Sequence, residues 1–140
     1  MRVMLVICLL VVSACGREDA ETALRSQVQA SIDALAEREH GAFMDTVADD
    51  FVGPEGMDRR GVSQMARVYF LRYRQIRLIA GPLSVEMADN RARVSFAVVL
   101  AGGQNGLLPD QAQAWQVDSG WRLIGDDWRM IALEWRPLAR

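Results

Sequence analysis

The hydrophobic period of this chain changes once, near Arg74. Before that point apolar residues recur at spacings of three and four, which places them on one face of a helix. Leu24, Val28, Ile32 and Leu35 form one such stripe, and Val62, Met65, Ala66 and Tyr69 form another. After it, apolar and polar residues alternate, the period of a strand with one buried face. The longest alternating series is Ala92, Val94, Phe96, Val98 and Leu100. A chain that spends its helices first and its strands afterwards does not read as a series of βαβ units. It reads as α+β: three N-terminal helices packed on one face of an antiparallel sheet. At 140 residues it holds one domain of ordinary size.

Glu18 to His40 is predicted to be the first helix, with Glu18, Asp19 and Glu21 at its positive end and His40-Gly41 as its stop. Phe43, Val47 and Phe51, four apart, predict a second helix over Ala42–Asp50, which Gly53-Pro54-Glu55-Gly56 breaks. A third follows over about Val62–Arg72. Arg74–Ile79, Leu83–Met87, Arg91–Leu100, Gln111–Ile124 and Trp128–Trp135 then read as strands. Asp89-Asn90 and Gly125-Asp126-Asp127 are hairpin turns, and Gly102 through Pro109 is a loop. Gly120, inside a long strand, predicts a bulge or bend that lets the sheet curve.

The N-terminus carries a separate signal. Arg2 precedes an apolar run of ten residues, Val3–Val12, then Ser13, Ala14 and Cys15. Ten residues are too few to span a bilayer, which takes about 20, and they suit the core of a secretory signal. Val12-Ser13-Ala14-Cys15 resembles the lipobox of bacterial lipoproteins. The resemblance implies that residues 1–14 are a cleaved signal peptide and that Cys15 is the site of lipid attachment. Residues 15–19 are then a short tether and 20–140 the folded domain. Gly16, where inner-membrane lipoproteins carry Asp, implies the outer membrane, with the domain facing the periplasm. Two or three acyl chains hold a protein firmly, whereas one holds it marginally. An ordinary cleaved signal with a chance Cys is the alternative. Cys8 leaves with the signal and Cys15 is alkylated, so no intramolecular disulfide is expected.

Two further stretches carry a fold-level resemblance. Ala42-Phe43 through Val47-Ala48-Asp49-Asp50-Phe51, and the hairpin Gly125-Asp126-Asp127-Trp128-Arg129-Met130-Ile131, resemble the NTF2-like superfamily, also called SnoaL-like or cystatin-like. The likeness spans nearly all of residues 20–136. It implies a long first helix laid across a strongly curved antiparallel sheet, forming a cone. Such motifs mark a fold and leave activity open.

Composition narrows the function. Sixteen Arg, with no Lys, face eighteen acidic residues for a net charge of −2, without the basic excess of a nucleic-acid binder. Two Cys and one His exclude a Cys-rich zinc module and leave no His cluster for a catalytic metal. There is no Gly-rich phosphate loop and no nucleophile–base motif, so neither metal nor cofactor is expected. His40 reads as a helix-terminal residue sooner than as a general base. The neighbours Asp49/Asp50 and Asp126/Asp127 point apart in strands and turns. Tyr69, Met87, Phe96, Trp115 and Trp128 suit either plain core or the lining of a cone cavity. Glu134 joins them by alternation with Trp128, Met130 and Ala132, with Arg93 as its candidate partner unless both face solvent. Arg59, Arg60, Arg67, Arg72, Arg74 and Arg77 cluster without an acid among them. Within that cluster Arg60, Arg67 and Arg74, seven apart, form a candidate membrane-surface patch.

These features favour a membrane-anchored, non-catalytic module that binds a small ligand or an envelope protein. The alternatives are a small cone-cavity isomerase, dehydratase or hydrolase of an apolar substrate using Glu134 or an Asp, and a structural envelope protein that forms homodimers through its sheet face.

Overall fold

A computed structural model describes residues 12–103 and 111–138. The expected signal peptide lies outside the described residues up to residue 11, as does most of the expected Gly102–Pro109 loop. Helix α1 (Val12–Ala36) is followed by a short α2 (His40–Met44), strand β1 (Val47–Val52), a 3-10 turn (Pro54–Gly56) and α3 (Arg59–Arg72). Strands β2 (Gln75–Ala80), β3 (Ser84–Ala88), β4 (Arg91–Gly103), β5 (Gln111–Ile124) and β6 (Asp127–Pro137) complete the chain. No helix among the described residues is long and apolar enough to cross a membrane.

Helix α1 starts before its predicted first residue and ends before its predicted last. Its backbone is helical from Val12, so the residues read as a tether form its first turns, and Glu18, Asp19 and Glu21 sit beyond the first turn. It stops at Ala36 instead of His40. Arg38 adopts a left-handed conformation (φ 60°). The Glu39 N–H then donates to the Ala34 carbonyl at 2.8 Å and the Arg38 N–H to the Leu35 carbonyl at 3.3 Å. This pair of bonds is a Schellman stop with Arg at the position that Gly usually takes. The Arg38 guanidinium offsets the awkward backbone by bonding the carbonyls of Phe70 and Arg74, which ties the end of α1 to the end of α3. His40 therefore opens α2.

The predicted second helix is also corrected. Only His40–Met44 is helical, and Val47–Val52 is a strand. The Thr46 hydroxyl donates to the Phe43 carbonyl at 2.7 Å and closes the helix there. The chain then leaves to pair with β6. That pairing is irregular, so Val47 and Phe51 both face the core across a shift in register. A four-residue spacing fits a helix face, and it equally fits alternate residues of a strand.

The sheet has six strands in the order β1-β6-β5-β4-β2, with β3 also on β4. It is mixed, because β1 runs parallel to β6, and the wholly antiparallel expectation is corrected on that point. The other pairings are antiparallel, and the sheet curves as the cone requires. β2 and β3 follow one another along the same edge of β4, at Val98–Gly103 and Arg91–Ser95. Asp89-Asn90 and Gly125-Asp126 are two-residue turns. Gly125 has a φ of 63°, a conformation that costs Gly no steric clash.

The core lies between α1, α3 and the inner sheet face. Leu24, Val28 and Ile32 from α1 meet Val62, Ala66 and Phe70 from α3 over Val94, Trp121 and Met130. Burying an aliphatic or aromatic side chain of this kind contributes about 1.5–3 kcal/mol. α3 starts cleanly because the Asp58 carboxylate caps it, accepting from the Gly61 N–H at 2.8 Å.

The bulge expected at Gly120 is present, and its extra residue comes from the neighbouring strand. Gly120 pairs with Ala132, yet Trp121 pairs with Met130, which leaves Ile131 without a partner. A Cβ at Gly120 would come within 3.3 Å of the Ala132 Cβ, so this position favours Gly. The skipped residue reverses which side chains of β6 face the core.

Candidate functional site

A cavity of about 340 Å³ fills the mouth of the cone. Every second residue of four strands points into it: Ile76 and Leu78 from β2, Phe96, Val98 and Leu100 from β4, Trp115, Val117 and Trp121 from β5, Leu133 and Trp135 from β6. Val28, Ile32 and Leu35 of α1 and Met65, Ala66 and Tyr69 of α3 close the other side. The deep wall at Val28, Val62, Trp121 and Met130 is buried. Tyr69, Leu100, Trp115, Leu133 and Trp135 are partly exposed, so the cavity opens toward them.

The wall is apolar in chemistry as well as in residue type. The Ser119 hydroxyl donates to the Val94 carbonyl at 2.8 Å and accepts from Trp121 Nε1 at 2.9 Å. The Ser31 hydroxyl lies 3.2 Å from the Thr46 hydroxyl, which accepts from it while giving its own proton to the Phe43 carbonyl. These hydroxyls are engaged within the protein. The Tyr69 hydroxyl and the indole N–H groups of Trp115 and Trp135 have no hydrogen-bond partner among the described residues, and they sit toward the open end. Burial, and after it the adjacent Tyr73, raises the Tyr69 phenol above its ordinary pKa. It is therefore a neutral hydrogen-bond donor at neutral pH. Among the described residues none that lines the cavity is a carboxylic acid, a His or an Arg.

The structure gathers some of the expected pocket residues and separates others. Tyr69, Phe96 and Trp115 are on the cavity wall. Met87 is half-buried against the core from β3, away from the cavity. Trp128 is buried at the closed end, where its Nε1 donates to the Ala20 carbonyl at 3.1 Å. Glu134 is exposed on the outer sheet face, because the unpaired Ile131 shifts the alternation by one. The reading that places its carboxylate in the pocket is corrected accordingly. Trp135 and Leu133 take the inward places, and simple alternation misses both. The adjacent pair Met130-Ile131, two apolar residues in a row within an alternating strand, is the sequence signal that marks the shift.

The acidic residues are ion-paired or exposed outside the cavity. Asp118, next to Glu134 in register, accepts from the Ser95 hydroxyl at 2.6 Å and lies 3.6 Å from Arg93 and 4.0 Å from Arg136. The Ser95 bond and then the two guanidinium groups hold its carboxyl below the ordinary range. Arg93 thus pairs with Asp118 and not with Glu134. Asp49 and Asp50 diverge: Asp50 takes a bidentate bond from Arg122 at 2.8 and 2.9 Å, and Asp49 lies 4.0 Å from Arg59. The Arg122 bond lowers the Asp50 pKa, and the same bond raises that of Arg122. Asp126 is exposed in the turn, and Asp127 lies 3.6 Å from Arg129.

His40 Nε2 lies 2.9 Å from the Ser63 hydroxyl, and Arg67 Nε donates to it at 3.3 Å. This pins α2 to α3 outside the cavity. Arg60 and Arg67 share an exposed side of α3. Arg74 follows the helix, which ends at Arg72, so the three do not form one helix face. Among the described residues no group of three or more His, Cys, Asp or Glu could hold a metal ion.

No protein-family model matches the chain, and no curated protein matches it. Solved structures do. An NTF2-like protein of unknown function from Pseudomonas putida KT2440 aligns with a TM-score of 0.73 at 17% identity, over 84% of this chain and 86% of that one. A putative scytalone dehydratase from Novosphingobium aromaticivorans DSM 12444 aligns at 0.76 and 12% identity, over 87% and 89%. Bd1075 of Bdellovibrio bacteriovorus aligns at 0.74 and 13% identity over 84% of this chain, which spans 40% of its length. At these identities the likeness is one of fold: the chain has the NTF2-like, cystatin-like cone.

Proposed function

We propose that this chain is a lipid-anchored protein of the bacterial envelope whose cone binds a small apolar ligand without transforming it. The observation that carries the binding reading is the composition of the cavity wall. Its volume suits a small molecule. Its hydroxyls at Ser31 and Ser119 are engaged elsewhere, and polar atoms remain only toward the mouth. Isomerisation, dehydration and hydrolysis need a group that takes or gives a proton near neutral pH. Among the described residues the wall offers one phenol with a raised pKa and no carboxylate or imidazole. The putative dehydratase therefore lends this chain its fold and no catalytic assignment. The anchor rests on Val12-Ser13-Ala14-Cys15 after the apolar run, and the periplasm-facing outer membrane rests on Gly16.

The binding reading is tested with N-phenyl-1-naphthylamine, a neutral apolar fluorophore. We expect saturable binding of one molecule per chain, with energy transfer from Trp115 and Trp135. Val117→Trp, which fills the cavity, should weaken it by tenfold or more. Binding that Val117→Trp leaves intact would overturn the assignment of this cavity. The anchor is tested separately by mass spectrometry of membrane-extracted protein. A diacylglyceryl group on an N-terminal Cys15 is expected, and an intact, unmodified Cys15 refutes it.

A further inference from the structure

We infer that the exposed side of α3 docks onto the surface of an anionic phospholipid bilayer. Arg25, Arg59, Arg93, Arg122, Arg129 and Arg136 each lie within 4.0 Å of a carboxylate. Arg60, Arg67 and Arg72 of α3 have no such partner among the described residues, and neither have Arg38, Arg74, Arg77 and Arg91. For α3 the cause is in the sequence, since no Asp or Glu occurs from Arg59 through Val85. A protein with a net charge of −2 thus carries three exposed arginines without a carboxylate partner along one helix.

The same side exposes apolar groups. Leu71 is 84% exposed, Val68 62% and Met65 37% along α3. Arginines interleaved with Leu, Val and Met make a surface that attracts lipid headgroups and can also bury apolar area among them. Single exposed apolar residues are ordinary, but a group of them set among unpaired arginines is not. Charge complementarity selects an anionic surface, and the apolar groups favour a bilayer over a wholly polar partner.

The cavity borders this face. Met65 and Tyr69 line both the cavity and a shallow groove along α3 that also includes Val68, Arg72 and Tyr73. Docking would set this groove against the lipid surface. It also constrains orientation. Trp128 fixes α1 at Ala20, and Arg38 fixes its other end to α3. Sixteen helical steps from Ala20 to Ala36, at about 1.5 Å each, separate those points by roughly 24 Å. An anchor at Cys15 and contact at α3 engage together only when α1 lies along the bilayer and does not stand on it. The inference shares the envelope location of the proposed function and is independent of the ligand.

The test uses full-length protein carrying Leu71→Trp, with vesicles of brominated phosphatidylglycerol and phosphatidylethanolamine or of brominated phosphatidylcholine alone. The emission added by the substitution should be quenched in the anionic vesicles and not in the zwitterionic ones. About 1 M salt, where the Debye length falls to roughly 3 Å, should restore it. Arg60→Glu combined with Arg72→Glu should restore it too. Loss of two arginines shifts the docked-to-undocked ratio by about thirtyfold at the usual worth of a cation beside an anionic surface, and reversal shifts it further. Val68→Trp serves as the probe if Leu71→Trp does not fold. Emission unquenched in anionic vesicles overturns the proposal and leaves an acidic protein as the occupant to seek. Equal quenching in both lipids, insensitive to salt and to the charge reversals, also overturns it, because the anchor alone would produce that result.

Discussion

The two stretches of β6 on either side of Ile131 obey opposite rules. Before it, the even-numbered residues Trp128 and Met130 face the core. After it, the odd-numbered Leu133 and Trp135 line the cavity and Glu134 faces out. The first stretch packs the closed end of the cone, where α1 and the sheet leave no space. The second forms one wall of the open end, where the sheet curves away from the helices. One unpaired residue is the hinge between them, and it decides whether the cavity carries an indole or a carboxylate. A functional reading of an NTF2-like cone therefore depends on strand phase as much as on residue identity.

That dependence gives the largest expected effect. Exchanging two neighbours in the second stretch, Leu133→Glu with Glu134→Leu, moves an apolar side chain from the inner face to the outer one and sets a carboxylate inward without a partner. The lost burial is worth about 1.5–3 kcal/mol, and the unpartnered carboxylate adds to it. We expect a loss of about 3–5 kcal/mol, a large share of the stability of a domain of this size. Urea denaturation measures it directly. Leu133→Glu alone should cost about as much, because Glu134→Leu changes only the outer face. An exchange variant of native stability would show that the two stretches do not differ as described.

Next in size is Ser119→Ala. Ser119 is buried at the join between the closed and open ends, where it accepts from the buried Trp121 Nε1 and donates to the Val94 carbonyl. Removing its hydroxyl strands an indole N–H away from water, at about 1–3 kcal/mol. Ser119→Thr can keep the hydroxyl and should recover much of that loss. Equal stability of the Ala variant and the native protein would mean that water reaches the indole and that the closed end is not closed.

How much of this the sequence discloses depends on where the deciding physics is written. The alternation of Ala92 through Leu100 is local, and those residues all face inward. Gly120 marks a bulge, because a strand Gly has few other uses. The positive φ of Arg38 is invisible in sequence, since the guanidinium bonds that accompany it reach residues 70 and 74. The strand at Val47–Val52 is hidden for a related reason: its partner is β6, about eighty residues on. Glu134 fails in between. The bulge was legible on β5, but the extra residue belongs to β6, and only the pairing register shows it.

The outer face should respond more weakly, and to pH. The lowered pKa of Asp118 means that its folded value lies below the roughly 3.9 of an unfolded Asp. Its contribution to stability is then fully present above about pH 4 and is lost as pH falls through the folded value. Asp118→Asn should therefore lower the urea midpoint at neutral pH by less than Ser119→Ala does. The difference from the native protein should shrink as the pH drops toward about 2. A difference that is constant with pH would mean that ionisation of the carboxylate plays no part in the effect and that its folded pKa is not lowered.

The smallest expected effect is the most informative about catalysis. Glu134→Gln removes a charge from an exposed side chain beside Asp118, where it makes no salt bridge among the described residues. Its stability should stay within about 0.5 kcal/mol of the native value. N-phenyl-1-naphthylamine should bind the variant with unchanged affinity and unchanged pH dependence, because the carboxylate lies across the sheet from the cavity. Leu133→Glu, one residue away, should have a much larger effect, since it sets a carboxylate on the cavity wall. If Glu134→Gln alters ligand binding in the native background, the open stretch of β6 must expose its other edge to the cavity, and the carboxylate becomes a candidate general base again.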